Sequence, residues 1–232
     1  AFYNLAVILE DKMLSYPKDD VKVIDAREIA KGEAEGLFAQ AAAVSPNDAT
    51  TLADHGRFLL TYTDRKADGI KQLQASLRLD ETCATALYHL ALVANERHKF
   101  ADAHAHLRTL RACHPKHLQG LKLLVAVLQD DRYMRADKLS PKDALDELML
   151  LYESILVLAK SQAQTDTSDE VLRYTTLVEG KGDATQKLRA INFLDRVSNQ
   201  PTRAKQSLEA VLAAQAANAN GMDDEDNDPE TV

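Results

Sequence analysis

The spacing of prolines and apolar residues constrains this chain more than any other feature. Pro46 and Pro115 lie 69 residues apart, close to two periods of about 34 residues, and one apolar pattern runs twice between them. From Ala84 to His117 the pattern forms two stripes at helical spacing: Leu87, Leu90, Ala91 and Ala94, then Ala103, Leu107 and Leu110. Each stripe predicts one amphipathic helix, and Pro115 ends the second helix because proline cannot continue it.

Composition favours helices along the whole chain. Ala, Leu, Glu, Gln, Lys and Arg dominate, and these residues lose little rotamer freedom in a helix. No apolar stretch approaches about 18 residues, so no membrane span is expected. The two cysteines, Cys83 and Cys113, are too few for a disulfide framework, and no secretory leader is visible. We therefore expect an intracellular, cytoplasmic protein, with a cilium or another organelle left open.

The apolar pattern resembles that of the tetratricopeptide repeat (TPR) family. In a TPR, helix A carries a large apolar residue, a Leu and a small residue, helix B carries a small and a bulky residue, and Pro precedes the next repeat. Residues 84–117 fit all of these slots, and residues 49–83 fit them with one extra residue in the turn. Small residues let the two antiparallel helices approach closely. The resemblance implies an all-α, TPR-like α-solenoid.

We expect four to five helix-turn-helix repeats over residues 1–200. Their predicted bounds are 1–48, 49–83, 84–117 and 118–165, with a degenerate pair over 168–200. Two insertions are expected, over Ser15–Ala30 and Arg132–Lys142, followed by a capping helix over 201–217. Because Phe2 already occupies a helix-A position, we also expect the array to begin upstream of Ala1. An unrelated helical bundle or a HEAT-like array is the alternative fold, although longer units fit the proline spacing less well.

The net charge of −8 is concentrated at the C-terminal end. After Lys205 there is no Lys or Arg, while seven acidic residues follow: Glu209, Asp223, Asp224, Glu225, Asp226, Asp228 and Glu230. The rest of the chain holds 28 basic and 29 acidic residues (36 minus 7), so it is nearly neutral. No basic stripe for nucleic acid is present. Residues 218–232 lack an apolar pattern and are expected to be a disordered acidic tail.

The TPR resemblance implies that helix-A side chains line a concave groove that holds an extended or helical segment of a partner protein. By register, the groove residues are Tyr3, Asn4, Val7, Asp54, Arg57, Thr61, Tyr88, His89, Leu92, Glu96, Lys122 and Ala126. This mixture of aromatic, apolar and charged residues suits a peptide or helix with a few anchors, although each side chain alone could be a solvated helix surface. The carboxylate clamp of chaperone-binding TPRs is absent, because its slots hold Val7, Asp54, Thr85 and His89.

No residue pattern indicates catalysis, a cofactor or a metal. Six of the seven histidines lie between His89 and His117, near Cys113. Two of them, His104 and His106, lie on different faces of a helix, and no second cysteine pair could complete a tetrahedral site. No phosphate-binding loop, nucleophile elbow, zinc-protease motif or dinucleotide fingerprint occurs.

The predicted function is therefore a non-catalytic scaffold or adaptor that binds other proteins within a hetero-complex. Two alternatives stay open. The chain could be the TPR arm of a larger enzyme, for example a protein glycosyltransferase whose catalytic part is missing here. It could also be a structural subunit of an organelle or ciliary complex that makes its contacts through the two insertions.

Overall fold

The computed structural model describes residues 1–17, 23–130, 132–133, 140–161, 167–197 and 203–221. Within these ranges the structure contains helices and no strand, which confirms the all-α prediction. The helices are α1 (Phe2–Ser15), α2 (Ile24–Val44), α3 (Ala49–Tyr62), α4 (Lys66–Leu79), α5 (Ala84–Glu96), α6 (Phe100–Cys113), α7 (Leu118–Gln129), α8 (Pro141–Ser161), α9 (Ser168–Lys181), α10 (Ala184–Val197) and α11 (Arg203–Gly221). None of the helices in this part of the chain is long and apolar enough to cross a membrane.

The chain divides into two compact units, Ala1–Gly120 and Leu121–Val232. Apolar periodicity records which face of a helix is buried but not which helix covers it, and the boundary between two units is therefore invisible in the stripe pattern. We describe each unit by itself.

The first unit consists of three helical hairpins in chain order. Helix α1 packs chiefly on α2, α3 on α4, and α5 on α6, and consecutive hairpins meet through α2–α3, α4–α5 and α3–α5 contacts. The side chain of Asp48 caps α3 by accepting a hydrogen bond from the Thr50 backbone N–H at 3.1 Å. Such a cap satisfies one of the free N–H groups at a helix start.

Two glycines set the separation of α3 and α4. A Cβ atom at Gly56 would lie 2.8 Å from the carbonyl oxygen of Gly69 and 2.8 Å from Cγ of Leu73. In the same way, a Cβ atom at Gly69 would lie 2.8 Å from the carbonyl oxygen of Gly56. The two helix backbones therefore touch where they cross, as the small residues at these repeat positions predict.

The first hairpin includes part of the predicted Ser15–Ala30 insertion as helix. Helix α2 begins at Ile24, so residues 24–30 are helical, and Ala30 is buried. The buried face that carries Ala34, Phe38 and Ala41 thus begins one turn further upstream, at Ala30, which gives the hairpin a longer second helix. Residues 18–22 of the predicted insertion lie outside the described residues.

The second unit is organised around the long helix α8. Both α9 and α10 pack on α8, and α11 packs on α9 and α10. The predicted degenerate pair over 168–200 corresponds to α9 and α10. These two helices contact each other less extensively than α10 contacts α11. Helix α8 buries side chains such as Met149, Tyr152 and Ile155 beneath these neighbours.

One helix end in this unit agrees with the sequence and another differs. Helix α8 begins at Pro141, as the Ser140–Pro141 pair predicts for an N-cap and first turn, and the Ser140 hydroxyl caps it by accepting from the Asp143 backbone N–H at 3.1 Å. Helix α11 continues to Gly221, four residues beyond the predicted end at 217. Its last turns are rich in Ala, which sustains a helix until Gly221. Residues 222–232 of the predicted tail lie outside the described residues.

Candidate partner-binding groove

The predicted groove residues fall on helices of both units. Ten of them lie in the first unit, on α1 (Tyr3, Asn4 and Val7), on α3 (Asp54, Arg57 and Thr61) and on α5 (Tyr88, His89, Leu92 and Glu96). The other two, Lys122 and Ala126, lie on α7 within the second unit. The Nζ of Lys122 donates a hydrogen bond to Oε1 of Glu170 at 2.5 Å. Ala126 is exposed.

A hydrogen bond joins the first two helix-A elements of the first unit. The Tyr3 hydroxyl on α1 donates to Oδ2 of Asp54 on α3 at 2.7 Å. This bond to a carboxylate raises the pKa of Tyr3 to about 12, because deprotonation would remove the donor and place two negative charges together. Two predicted groove residues therefore bind each other. Of their neighbours on α1, Asn4 is exposed and Val7 packs against the core formed by Ala6 and Phe38.

An ion pair reinforces this connection. Both terminal nitrogens of Arg57 donate to the two carboxylate oxygens of Glu10, each at 2.6 Å, and Nε of Arg57 lies 3.6 Å from Oδ1 of Asp54. Glu10 is only 5% exposed. Its hydrogen bonds to Arg57 raise the pKa of the guanidinium above its ordinary value. The charge of Arg57 is thus compensated within the protein, and its planar fork holds α3 at a defined position on α1.

Sequence reasoning missed Glu10 as part of this arrangement. Glu10 follows Ala6 by four residues and therefore shares the buried face of α1. A carboxylate on a buried helix face needs a charged partner. This requirement is the one feature of the sequence that indicates an ion pair at Glu10. The identity of the partner depends on how α1 and α3 cross, which no local pattern contains.

A pocket of about 570 Å³ opens between the C-terminal halves of α3 and α5 and the beginning of α4. Five predicted groove residues line it: Thr61, Tyr88, His89, Leu92 and Glu96. Five further residues that were not predicted complete the lining: Leu60, Lys66, Ile70, Val93 and Arg97. Lys66 and Ile70 were missed because they belong to a helix B, whereas the TPR resemblance pointed to helix-A side chains alone.

The pocket lining combines apolar side chains with charged groups at the surface. Leu60, Ile70, Leu92 and Val93 are half-buried, whereas Lys66, Glu96 and Arg97 are exposed. These three charged residues form no ion pair with any residue in the described part of the chain. The lining therefore presents an apolar surface with two cations and one anion that form no ion pair with the described residues.

His89 supplies an uncharged polar group to the same pocket. Burial, and next the nearby positive charge of Arg57, lower the pKa of His89 to about 4, so its imidazole is neutral at pH 7. Its ring lies 5.2 Å from that of Tyr88, which also lies 5.2 Å from the ring of His117. No hydrogen-bond partner of the His89 nitrogens is present among the described residues, so both can serve a bound molecule.

The histidine-rich segment does not assemble into a metal centre in the described ranges. His104 is buried, His106 is half-buried, and Nδ1 of His117 accepts a hydrogen bond from the Gly120 backbone N–H at 3.0 Å. Within the residues that the structure describes, no group of three or more His, Cys, Asp or Glu side chains could hold a metal ion.

Comparison with known proteins finds relatives by structure but not by sequence. No family model matches the chain, and no curated protein matches its sequence. Two crystal structures of MamA align with a TM-score of 0.51 at 17% identity, covering 84% and 85% of this chain and 99% and 92% of MamA. A MamA RS-1 ArsTM double mutant aligns with a TM-score of 0.50 at 14% identity, covering 86% of this chain and all of the mutant. MamA has a TPR-type fold.

The chain has a TPR-type fold. The structural likeness confirms, for the fold, the resemblance carried by the apolar stripes, the small residues and Pro115. At this level of identity the likeness concerns architecture alone. The alignments extend over most of the chain, although the repeat pattern in the sequence is clearest between residues 34 and 115.

Proposed function

We propose that this protein is a non-catalytic scaffold or adaptor that holds a segment of a partner protein within a hetero-complex inside the cell. The observation that carries the proposal is the pocket between α3 and α5. Five residues expected in a partner-binding groove surround it, and its volume of about 570 Å³ falls within the range of about 300–1,000 Å³ that is typical of ligand sites.

The elements around the pocket support binding without large rearrangement. The close crossing at Gly56 and Gly69 fixes α3 against α4, and the Arg57–Glu10 and Tyr3–Asp54 bonds fix α3 against α1. A surface carried by rigid helices loses little conformational entropy when it binds a partner. The apolar side chains of Leu60, Ile70, Leu92 and Val93 offer area that a partner can remove from water.

Affinity purification followed by mass spectrometry tests the proposal, with one variant in the pocket and one outside it. Leu92→Arg places a charge in the pocket. Ala105→Arg places the same charge on an exposed position of α6 that does not line the pocket. We expect the wild-type protein and Ala105→Arg to recover the same partners and Leu92→Arg to lose them.

The circular dichroism spectra of the two variants must match that of the wild-type protein before the partners are compared. A wild-type protein that recovers no reproducible partner contradicts the scaffold proposal. A Leu92→Arg variant that recovers the full set contradicts the assignment to this pocket.

A further inference from the structure

We propose that the α3–α5 pocket selects partner segments in which an apolar side chain stands next to a carboxylate, either Asp, Glu or a chain terminus. This inference rests on the proposed function and specifies the chemistry of the partner. Two features of the pocket carry it: the cations Lys66 and Arg97, which form no ion pair with the described residues, and the apolar side chains that line the same pocket.

The charges around the pocket favour an anionic group. Lys66, at the start of α4, and Arg97, just after α5, both line the pocket, and neither has an ion-pair partner among the described residues. Glu96 is the one anion in the lining, so the lining carries a net charge of +1 with His89 neutral. The remaining nearby cation, Arg57, is already bound to Glu10 and Asp54. A carboxylate bound in the pocket is therefore attracted by two lining cations that form no ion pair with the described residues.

The interior of the pocket favours an apolar side chain. Leu92 and Val93 on α5, Leu60 on α3 and Ile70 on α4 all line it. Burying one Leu-sized side chain there contributes more to the binding free energy than an exposed ion pair does. The apolar residue therefore supplies most of the affinity, and the carboxylate supplies the selectivity.

His89 matches the backbone of such a segment. Its neutral imidazole lines the pocket and can donate one hydrogen bond and accept one, and neither nitrogen is occupied by another described residue. A peptide backbone presents one donor and one acceptor at each residue. This arrangement differs from the carboxylate clamp of chaperone-binding TPRs, because Lys66 and Arg97 do not occupy the clamp slots, which here hold Val7, Asp54, Thr85 and His89.

A random peptide library displayed on phage and selected on the whole chain tests the inference. We expect the selected peptides to be enriched in Asp or Glu beside Leu, Ile, Met or Phe. Lys66→Glu combined with Arg97→Glu reverses the charge at the pocket and should replace the acidic enrichment by Lys and Arg. The matched control, Arg108→Glu with Lys116→Glu, makes the same change in net charge on exposed positions outside the pocket and should leave the acidic enrichment intact.

Synthetic peptides from the selection provide the quantitative measurement by fluorescence anisotropy. Replacing the peptide carboxylate by its amide, or using the Lys66→Glu and Arg97→Glu double variant, should weaken binding about tenfold, the sum of two surface ion pairs. The loss should shrink as salt is added, because exposed charges are screened.

The outcomes separate the two proposals. If no peptide is enriched on the wild-type chain, or if Leu92→Arg retains all of them, the proposed function fails. If the peptides depend on Leu92 but show no acidic preference, or if the pocket charge reversal changes that preference no more than the control does, the scaffold proposal stands and the inference about carboxylates is wrong.

Discussion

The two units of the chain use the same kind of polar network in different surroundings. In the first unit, the Tyr3 hydroxyl donates a hydrogen bond to the carboxylate of Asp54, and Arg57 binds the carboxylate of Glu10. In the second unit, Glu153 accepts a hydrogen bond from the Tyr174 hydroxyl at 3.0 Å and two from Arg189, at 3.1 and 2.7 Å. Tyr174 is 0% exposed, and burial raises its pKa.

The difference comes from the packing around each network. Regular hairpins cover one side of each helix A and leave the other side available, and the α3–α5 pocket lies on such an open side. In the second unit, α9 and α10 both pack on α8, which buries Tyr174 but leaves the Arg189 side chain 39% exposed, whereas the Arg57 side chain of the first unit is 24% exposed.

The largest effect should come from removing the arginine of each network. Arg57→Met removes the cation that is bound to the buried Glu10, which should lower the free energy of unfolding by about 3 kcal/mol. Arg189→Met should cost only about 1 kcal/mol, because Arg189 is 39% exposed and Glu153 keeps its bond from Tyr174. Urea denaturation measures both values. Equal losses would show that the first network is no more dependent on its ion pair than the second.

A smaller effect should distinguish the glycines. Gly56→Ala should destabilise the first unit by about 2 kcal/mol, because its Cβ would meet the Gly69 backbone and Leu73. Gly36→Ala, in an open position of α2, should instead stabilise the same unit by about 1 kcal/mol through helix propensity. Gly180 on α9 is equally open, so Gly180→Ala should likewise stabilise the second unit. Thermal unfolding checks the signs, and a stabilising Gly56→Ala would contradict the close crossing.

The smallest predicted difference between the units is in how much stability each loses between pH 7 and pH 5. All seven histidines belong to the first unit. Burial lowers the pKa of His55, and that of His89 falls to about 4. Because the unfolded chain takes up protons near pH 6.5 and the folded unit resists them, the stability that these residues contribute is complete above pH 6.5 and is lost as the pH falls toward 4.

Hydrogen exchange at pH 7 and pH 5 measures this difference within one sample. Amides of α3 and α5 should lose more protection than amides of α8. In a His89→Gln variant, the amides of the first unit should lose less protection between pH 7 and pH 5 than they do in the wild-type protein. Equal losses in both units would mean that histidine titration does not govern the response, since carboxylates titrate mostly below about pH 4.5.

The candidate site was only partly predictable from the sequence. The register of the repeat placed Tyr88, His89 and Leu92 of α5 in one groove, and these side chains share a pocket. Lys66 and Arg97 carry no local signal, because one begins a helix and the other follows one. Their meeting at the pocket depends on the angle between α4 and α5.

The sequence by itself determined helices α3 to α6 of the first unit and the faces that they bury, because apolar spacing, small residues and proline act within one or two turns. Only the tertiary structure decided that Arg57 is bound to Glu10, that α2 begins at Ile24, and that α8 gathers its neighbours into a second unit. These outcomes depend on contacts between residues far apart in the chain. The free energy of such contacts is set by distance and burial in three dimensions, which local periodicity does not record.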